Sequence, residues 1–222
     1  MSKNNDYKVI LIGDSHVGKE KLFIKLSRGA FCDRNISTIG MDKRTLNFKD
    51  IEVDINGTKQ KQDFNIILYD TAGQERYRAI TKNYLHGSDI VFMIYDITNR
   101  KSFDDIESWL ESISEILSSW KEGNYLIFLF GNRVDLVDNE EKSREVEEEE
   151  AQKFCEDKGI MWGGELSILD SSTEKLTEMI LNCWKEYVQK FGIKGEIPIQ
   201  SKMEGLKYFR KKKKKKGIWS KE

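Results

Sequence analysis

The chain has no run of 18 or more apolar residues, so its sequence offers no segment that crosses a membrane as a helix. Cysteine is sparse. Cys32, Cys155 and Cys183 are odd in number and far apart, which excludes a disulfide framework and points to a reducing compartment. No His or Cys pair has the close spacing of a zinc site. The opening residues Met1 to Asp6 are polar and lack the apolar stretch of a secretory signal. Internal repeats are absent as well. What remains is a chain of 222 residues, 38% apolar and 34% charged, enough for one ordinary domain and a tail. Its net charge of −1 hides an asymmetry: residues 200–222 hold ten basic and two acidic residues, and the rest holds 27 basic and 36 acidic. A mildly acidic body carries a basic tail.

Apolar runs alternate with amphipathic stretches. Residues 7–12 read as a strand leading through a glycine loop into a helix from about Lys19 to Arg28. Residues 66–69, 90–95 and 125–130 are continuous apolar runs, as expected of parallel strands buried on both faces. Phe103, Ile106, Leu110, Ile113 and Leu117 recur at helical spacing, as do Leu176, Met179, Ile180, Cys183, Trp184, Tyr187 and Phe191; both stripes read as core faces. Residues 44–70 read as two strands joined at Asn56-Gly57, a strong hairpin signal. Five carboxylates between Glu145 and Glu150 suit a helix start. The order of elements predicts a layered α/β domain. Periodicity stops beyond Gly192, so the domain is expected over 6–192 and a flexible basic tail over 193–222.

Gly13-Asp14-Ser15-His16-Val17-Gly18-Lys19 carries the first chemistry. A strand that turns sharply into a helix presents backbone N–H groups to a phosphate, provided no bulky side chain intrudes. Ser15, His16, Val17 and Gly18 are the candidate contacts, and Lys19 adds a point charge for the outer phosphates. His16 either covers the phosphates or crowds them. A phosphate loop of this kind wants Ser or Thr next, to hold magnesium, and this chain has Glu20. A carboxylate also binds that hard ion. It is longer, however, and it brings a negative charge toward others; two unit charges about 4 Å apart repel by roughly 4 kcal/mol at an effective dielectric of about 20. Glu20 therefore predicts weakened or rearranged magnesium binding, with outright loss of the metal as the alternative.

Asp70-Thr71-Ala72-Gly73-Gln74-Glu75 follows a buried strand. An Asp at a strand end can hold the metal through water, Gly73 allows its N–H to approach a terminal phosphate, and Gln74 can orient an attacking water. Thr38, 18 residues after Glu20, offers a hydroxyl as a second protein ligand for magnesium. The candidate metal ligands are thus Thr38 and Asp70, with Glu20 in question. Asn132-Arg133-Val134-Asp135 follows the run at 125–130. A carboxylate at Asp135 accepts from the N1–H and exocyclic amine of guanine, a donor pair that adenine lacks; a site built for such hydrogen bonds rejects analogues by about 10⁴–10⁵. Arg133 stands where Lys is usual, and its planar head can stack over a base.

Over about residues 7–191 the chain resembles the Ras-like small GTPases, and within them the Rab branch. The resemblance is carried by Ile36-Ser37-Thr38-Ile39-Gly40-Met41-Asp42, by Tyr69 through Thr81, and by Ile94-Tyr95-Asp96-Ile97-Thr98. It implies a three-layer P-loop G domain with a six-stranded, mostly parallel sheet and five helices. It implies GTP, GDP and Mg²⁺ as ligands and a nucleotide switch in vesicle traffic. Effectors and regulators would meet Ile36–Asp42 and Gly73–Thr81, and Phe31 would lie against the purine. Glu165-Leu166-Ser167-Ile168-Leu169 stands where the family contacts guanine through its backbone, keeping only Glu165 and Ser167, so Ser167, Ile168 and Leu169 join the candidate contacts.

Other departures bear on partners. Lys43 and Tyr69 replace the usual Phe and Trp of the effector-facing patch, and the 44–70 hairpin is longer than typical. The last cysteine, Cys183, falls inside the final helix, so the usual prenyl anchor has no site. Arg210 through Lys216 form seven consecutive basic residues, with Ile218 and Trp219 after them. Anionic lipid attracts such a segment by about 1 kcal/mol per basic residue. A solvated tail or a nuclear-import patch is the equal alternative. The expected location is cytoplasmic, at membrane surfaces if the tail engages lipid, and no nucleic-acid partner is expected. Two functions compete: a switch that hydrolyses GTP slowly, and a pseudo-GTPase scaffold whose site Glu20 has spoiled. An adenine-nucleotide kinase or ATPase is disfavoured by Asn132 and Asp135.

Overall fold

The structure, a computed structural model, is described for residues 5–28, 32–33, 42–55, 57–70, 85–118 and 124–194. In chain order the elements are β1 (Asp6–Ile12), α1 (Lys19–Ser27), β2 (Cys32–Asp33), β3 (Asp42–Ile55), β4 (Thr58–Asp70), β5 (Ile90–Asp96), α2 (Arg100–Ser118), β6 (Leu126–Asn132), α3 (Val134–Asp138), α4 (Glu148–Lys158), β7 (Met161–Leu166) and α5 (Thr173–Phe191). Six full strands form the expected mixed sheet, and the two-residue β2 extends its edge, giving the order β2-β3-β4-β1-β5-β6-β7. The pairs β1·β4, β1·β5, β5·β6 and β6·β7 are parallel; β2·β3 and β3·β4 are antiparallel.

Burial explains the continuous apolar runs. Every residue of β5 and β6 is buried, because helices cover both faces of the central sheet. Alternation sorts side chains into two cores. Val9, Leu11, Phe64, Ile66 and Phe92 pack with Leu22 of α1 and Trp184 of α5, where Phe64 and Trp184 stack at 3.7 Å between ring centroids. Ile10, Ile12, Val91 and Met93 pack on the other side with Ile106 and Ile113 of α2 and Cys155 of α4. No helix among the described residues is long and apolar enough to cross a membrane.

The hairpin signal corresponds to a real two-residue connection. Ile55 pairs with Thr58, and Gly57 takes a left-handed φ of 80° while donating to Asp54 Oδ1 at 2.8 Å. A bulge between Phe48 and Ile51, with Asp50 at φ 55°, bends this long ribbon. The acidic run starts α4 as expected, with Glu148, Glu149 and Glu150 in its first turn. Packing continues through Ile193, which is buried, and Lys194, whose Nζ reaches Asp6 O and Asp89; these are the first two residues of the expected tail.

The sheet order reverses at β1. Its neighbour β4 precedes it in the sheet and β5 follows, so the loops after β1 and β5 diverge at their C-terminal ends. Such a point in an open α/β sheet leaves a crevice where ligands bind. The glycine loop leaves β1 there.

Candidate functional site

The bend from β1 into α1 depends on two glycines. Gly13 has φ 143°, and a Cβ there would lie 2.2 Å from Ile94 O. Gly18 has φ 112°, and a Cβ would lie 2.3 Å from Asn132 Nδ2. Only glycine lets the backbone come this close and still turn. Gly18 caps α1 without a side-chain hydrogen bond, so the cap itself leaves the first N–H groups of the helix available to a ligand. Ser15 and His16 are exposed on the loop, with His16 in the left-handed region at φ 66°, and Val17 is buried.

Lys19 is 4% exposed, and its ammonium donates to the carbonyls of Gly13, at 2.8 Å, and Asp14. Burial lowers its pKa to about 8, against the opposing pull of Asp70 and Asp14. Asp70 ends β4 beside it. Burial raises the Asp70 carboxyl to about 7, Lys19 resists the rise, and Glu20 and Asp42 add to it. Asp70 Oδ1 is buried with no hydrogen-bond partner among the described residues. A buried oxygen in this state suits a hard cation. Glu20 sits exposed in the first turn of α1, close enough for its charge to act on Asp70. No group of three or more His, Cys, Asp or Glu side chains among the described residues could hold a metal. Phe31, Thr38, Gly73 and Gln74 lie outside the described residues.

The Asn132–Asp135 segment is joined directly to the glycine loop. Asn132, the last residue of β6, donates from Nδ2 to Val17 O at 2.7 Å and accepts at Oδ1 from Ile168 N–H at 3.0 Å. One buried amide thus ties together the phosphate loop, β6 and the loop after β7. Arg133 takes φ 76°; its guanidinium donates to His16 O at 2.7 Å and pairs with Asp96 at 3.1 Å. The planar fork of the guanidinium reaches both partners at once. Asp135 is 7% exposed in the first turn of α3. Ser167 Oγ accepts from Asp170 N–H at 3.0 Å. Ile168 is 1% exposed, its side chain facing Gly18, whereas Leu169 is 56% exposed.

This arrangement brings Ser15 through Glu20, Asp70, Asn132, Arg133, Asp135 and Ser167 through Leu169 to one end of the sheet. The structure adds supports that the motifs did not reveal. Trp109 of α2 donates from Nε1 to Asp14 Oδ1 at 2.8 Å. Its signal was a tryptophan inside an apolar helical stripe, since a buried indole N–H needs an acceptor. Arg144 grips Glu165 with two hydrogen bonds of 2.6 and 2.8 Å. Lys25 of α1 donates to Leu169 O and, at 2.9 Å, to Ser171 O.

A model of the Ras family matches residues 8–187. The chain belongs to the Ras family. Ras-related protein Rab-8B of Bos taurus is 41% identical over 162 residues, covering 72% of this chain and 70% of the relative. Ras-related protein Rab-8 of Diplobatis ommata is 37% identical over 210 residues, covering 93% and 90%. Ras-related protein YPTC6 of Chlamydomonas reinhardtii is 37% identical over 175 residues, covering 79% and 73%. These relatives place the chain in the Rab branch of the Ras-like small GTPases, and the six-strand mixed sheet is the fold of that family.

Proposed function

We propose that this Rab-like chain is a guanine-nucleotide switch of vesicle traffic that binds GTP and GDP and hydrolyses GTP slowly. The observation that carries this reading is the Asn132 joint, 2.7 Å to the phosphate loop and 3.0 Å to the loop after β7, which fixes the distance between phosphate and base subsites. The N–H groups of Ser15 to Lys19 receive the phosphates, and Lys19 exchanges its two backbone carbonyls for phosphate oxygens. Asp135 accepts from the guanine edge. Phe31, Arg133 and Leu169 lie along the base, with Ser167 and Ile168 holding the loop. Gln74 orients the attacking water, and Gly73 contacts the terminal phosphate. Effectors and regulators bind Ile36–Asp42 and Gly73–Thr81.

The magnesium ion that the family implies fits Asp70, whose buried Oδ1 has no other partner, with Thr38 and Glu20 as further ligands. Bound there, the ion supplies positive charge that neutralises phosphate oxygens. Glu20 rearranges that binding relative to a hydroxyl, because it is longer and sets a negative charge near Asp70 and the anionic phosphates. That same crowding favours a second reading, a scaffold with an impaired site. Titration with fluorescent GDP, with and without Mg²⁺, on the native chain and on Glu20→Ser, separates them. The switch requires GDP retention by the native chain and stronger magnesium dependence in Glu20→Ser. Retention by Glu20→Ser alone selects the scaffold, and retention by neither defeats both nucleotide readings.

The polybasic segment Arg210–Lys216 is proposed to give weak, salt-sensitive attraction to anionic membranes. Equal sedimentation with anionic vesicles, with and without residues 210–216, would remove that part.

A further inference from the structure

Strand alternation sorts charge across β3 and β4. Asp42 pairs with Asp70 in register, and both act on the Lys19 side of the sheet. One residue along, Lys43 pairs with Tyr69, so their side chains emerge on the opposite face. Lys8 of β1 joins them there, since it pairs with Ile67, two residues before Tyr69. The Lys8 ammonium lies 4.9 Å from the centre of the Tyr69 ring and that of Lys43 lies 5.7 Å from it. Two cations therefore share one aromatic ring. Lys8 is half-buried and donates to His86 O at 2.8 Å, while Lys43 is exposed.

The shared ring does not neutralise the pair. A cation–π contact is a weak attraction that leaves the charge in place. Burial lowers the Lys8 pKa, and the neighbouring Lys43 charge lowers it further, although Asp89 opposes this. Asp89 is already engaged by the Lys8 backbone N–H and by Lys194. Tyr69 packs against the Ile10 core, and Ile67 beside it is half-buried, so the floor between the cations is partly apolar.

We infer that this outer face of β3 and β4, with Tyr69 between Lys8 and Lys43, binds an acidic segment of a protein partner. Charge complementarity selects carboxylates: one placed over Tyr69 relieves the Lys8–Lys43 repulsion and gains both attractions. Position selects a protein over a lipid surface. Lys43 directly follows Ile36–Asp42 and Tyr69 lies four positions before Gly73–Thr81, so the patch continues in sequence the segments already assigned to effectors; the inference rests on that reading and names its partner's chemistry.

The test uses the full chain loaded with GDP or a non-hydrolysable GTP analogue. The probe is a fluorescent twelve-residue peptide repeating Glu-Glu-Ala-Phe, with its Gln-for-Glu counterpart as control. Carbodiimide coupling, which joins a carboxylate to a nearby amine, is mapped by mass spectrometry. Crosslinks at Lys43 and Lys8 are expected, with binding about tenfold weaker in Lys43→Glu, unchanged in Lys49→Glu on the same strand, and weak for the Gln peptide. Crosslinks confined to the tail lysines, an unaltered affinity in Lys43→Glu, or a Lys43-dependent preference for phosphatidylserine vesicles over the peptide would each overturn it. Fluorescent-GDP retention is measured in parallel. A chain that keeps GDP yet never couples at Lys43 defeats this inference alone; one that couples there but loses GDP defeats the switch instead.

Discussion

Two buried charge clusters lie at opposite ends of the parallel strands, and they are built differently. At the C-terminal ends, Lys19 and Asp70 are withdrawn from water; among the described residues Lys19 has only backbone carbonyls as hydrogen-bond acceptors, and Asp70 Oδ1 has no donor. At the N-terminal ends, Asp89 is 5% exposed and fully engaged: it accepts from Lys8 N–H at 2.6 Å, Lys194 Nζ at 2.6 Å and the Tyr187 hydroxyl at 3.2 Å. Burial raises both carboxyls, but at Asp89 Lys194, the Lys8 N–H and the Tyr187 hydroxyl counter it. A fold tolerates a buried charge when its hydrogen bonds are complete. An incomplete set marks a place whose missing partners come from outside.

The comparison breaks first at Lys19. Lys19→Met removes two charge-assisted contacts to phosphate, worth about 1.5–3 kcal/mol each, so GDP affinity falls by about 10²–10⁴. The nucleotide-free chain keeps its stability or gains some, because the desolvation that outweighs the pull of Asp70 and Asp14 on the buried ammonium is removed. Fluorescent-GDP titration and urea unfolding read the two outcomes; unchanged affinity would mean that the unsatisfied cluster is not a phosphate site.

The second effect is one of pH. Asp70 has its folded pKa raised to about 7, so the folded state holds a proton that the unfolded state releases near 4, and stability falls as pH rises between those values. Lys19 has its folded pKa lowered to about 8, so above that value the folded state sheds a proton the unfolded state keeps, and stability recovers. The nucleotide-free, metal-free chain is therefore least stabilised by this site between pH 7 and 8. Asp70→Asn flattens the acidic limb by up to about 4 kcal/mol in urea unfolding across pH. A profile identical to the native one would show that Asp70 does not carry this strain.

Asp89→Ala has the opposite signature. It removes the Asp89 acceptor from the Lys8 N–H and from Lys194, leaves the Tyr187 hydroxyl with Asn124 O alone, and costs about 3 kcal/mol in urea unfolding, with GDP affinity per folded molecule unchanged. A loss of affinity at constant stability would erase the distinction between the two ends.

The two clusters were also unequally legible in the sequence. Gly13, Gly18, Lys19, Asn132 and Asp135 stand close together in short motifs whose chemistry is local, and the apolar runs at 66–69, 90–95 and 125–130 gave the buried strands. Asp89 meets Lys194 across 105 positions, and Trp109 meets Asp14 across 95; no periodicity encodes pairings at such range. Asn132 shows the boundary between the two kinds. Its motif marked it as a nucleotide residue, but its two hydrogen bonds to Val17 and Ile168 appear only when three loops are folded together. The pairing of Lys8 with Tyr69 was hidden for a similar reason, since β1 and β4 are neighbours only in the sheet.

The smallest effect is the sharpest probe of the satisfied end. Lys194 Nζ donates to Asp89 and, at 2.8 Å, to Asp6 O, while its backbone N–H donates to the Tyr7 hydroxyl at 3.1 Å. The side chain is 37% exposed, so water screens the ion pair and Lys194→Met costs only about 1 kcal/mol. The Tyr187 and Lys8 donors remain on Asp89, which is why the loss stays small. The same substitution frees the chain beyond α5 from the end of β1 that lies farthest from the phosphate loop. Limited proteolysis should therefore cut after residue 191 several times faster in Lys194→Met, with GDP retention unaltered. If cleavage rates match, Ile193 burial and the Tyr7 hydrogen bond hold this segment without the ion pair, and the completeness of the Asp89 cluster serves the domain alone.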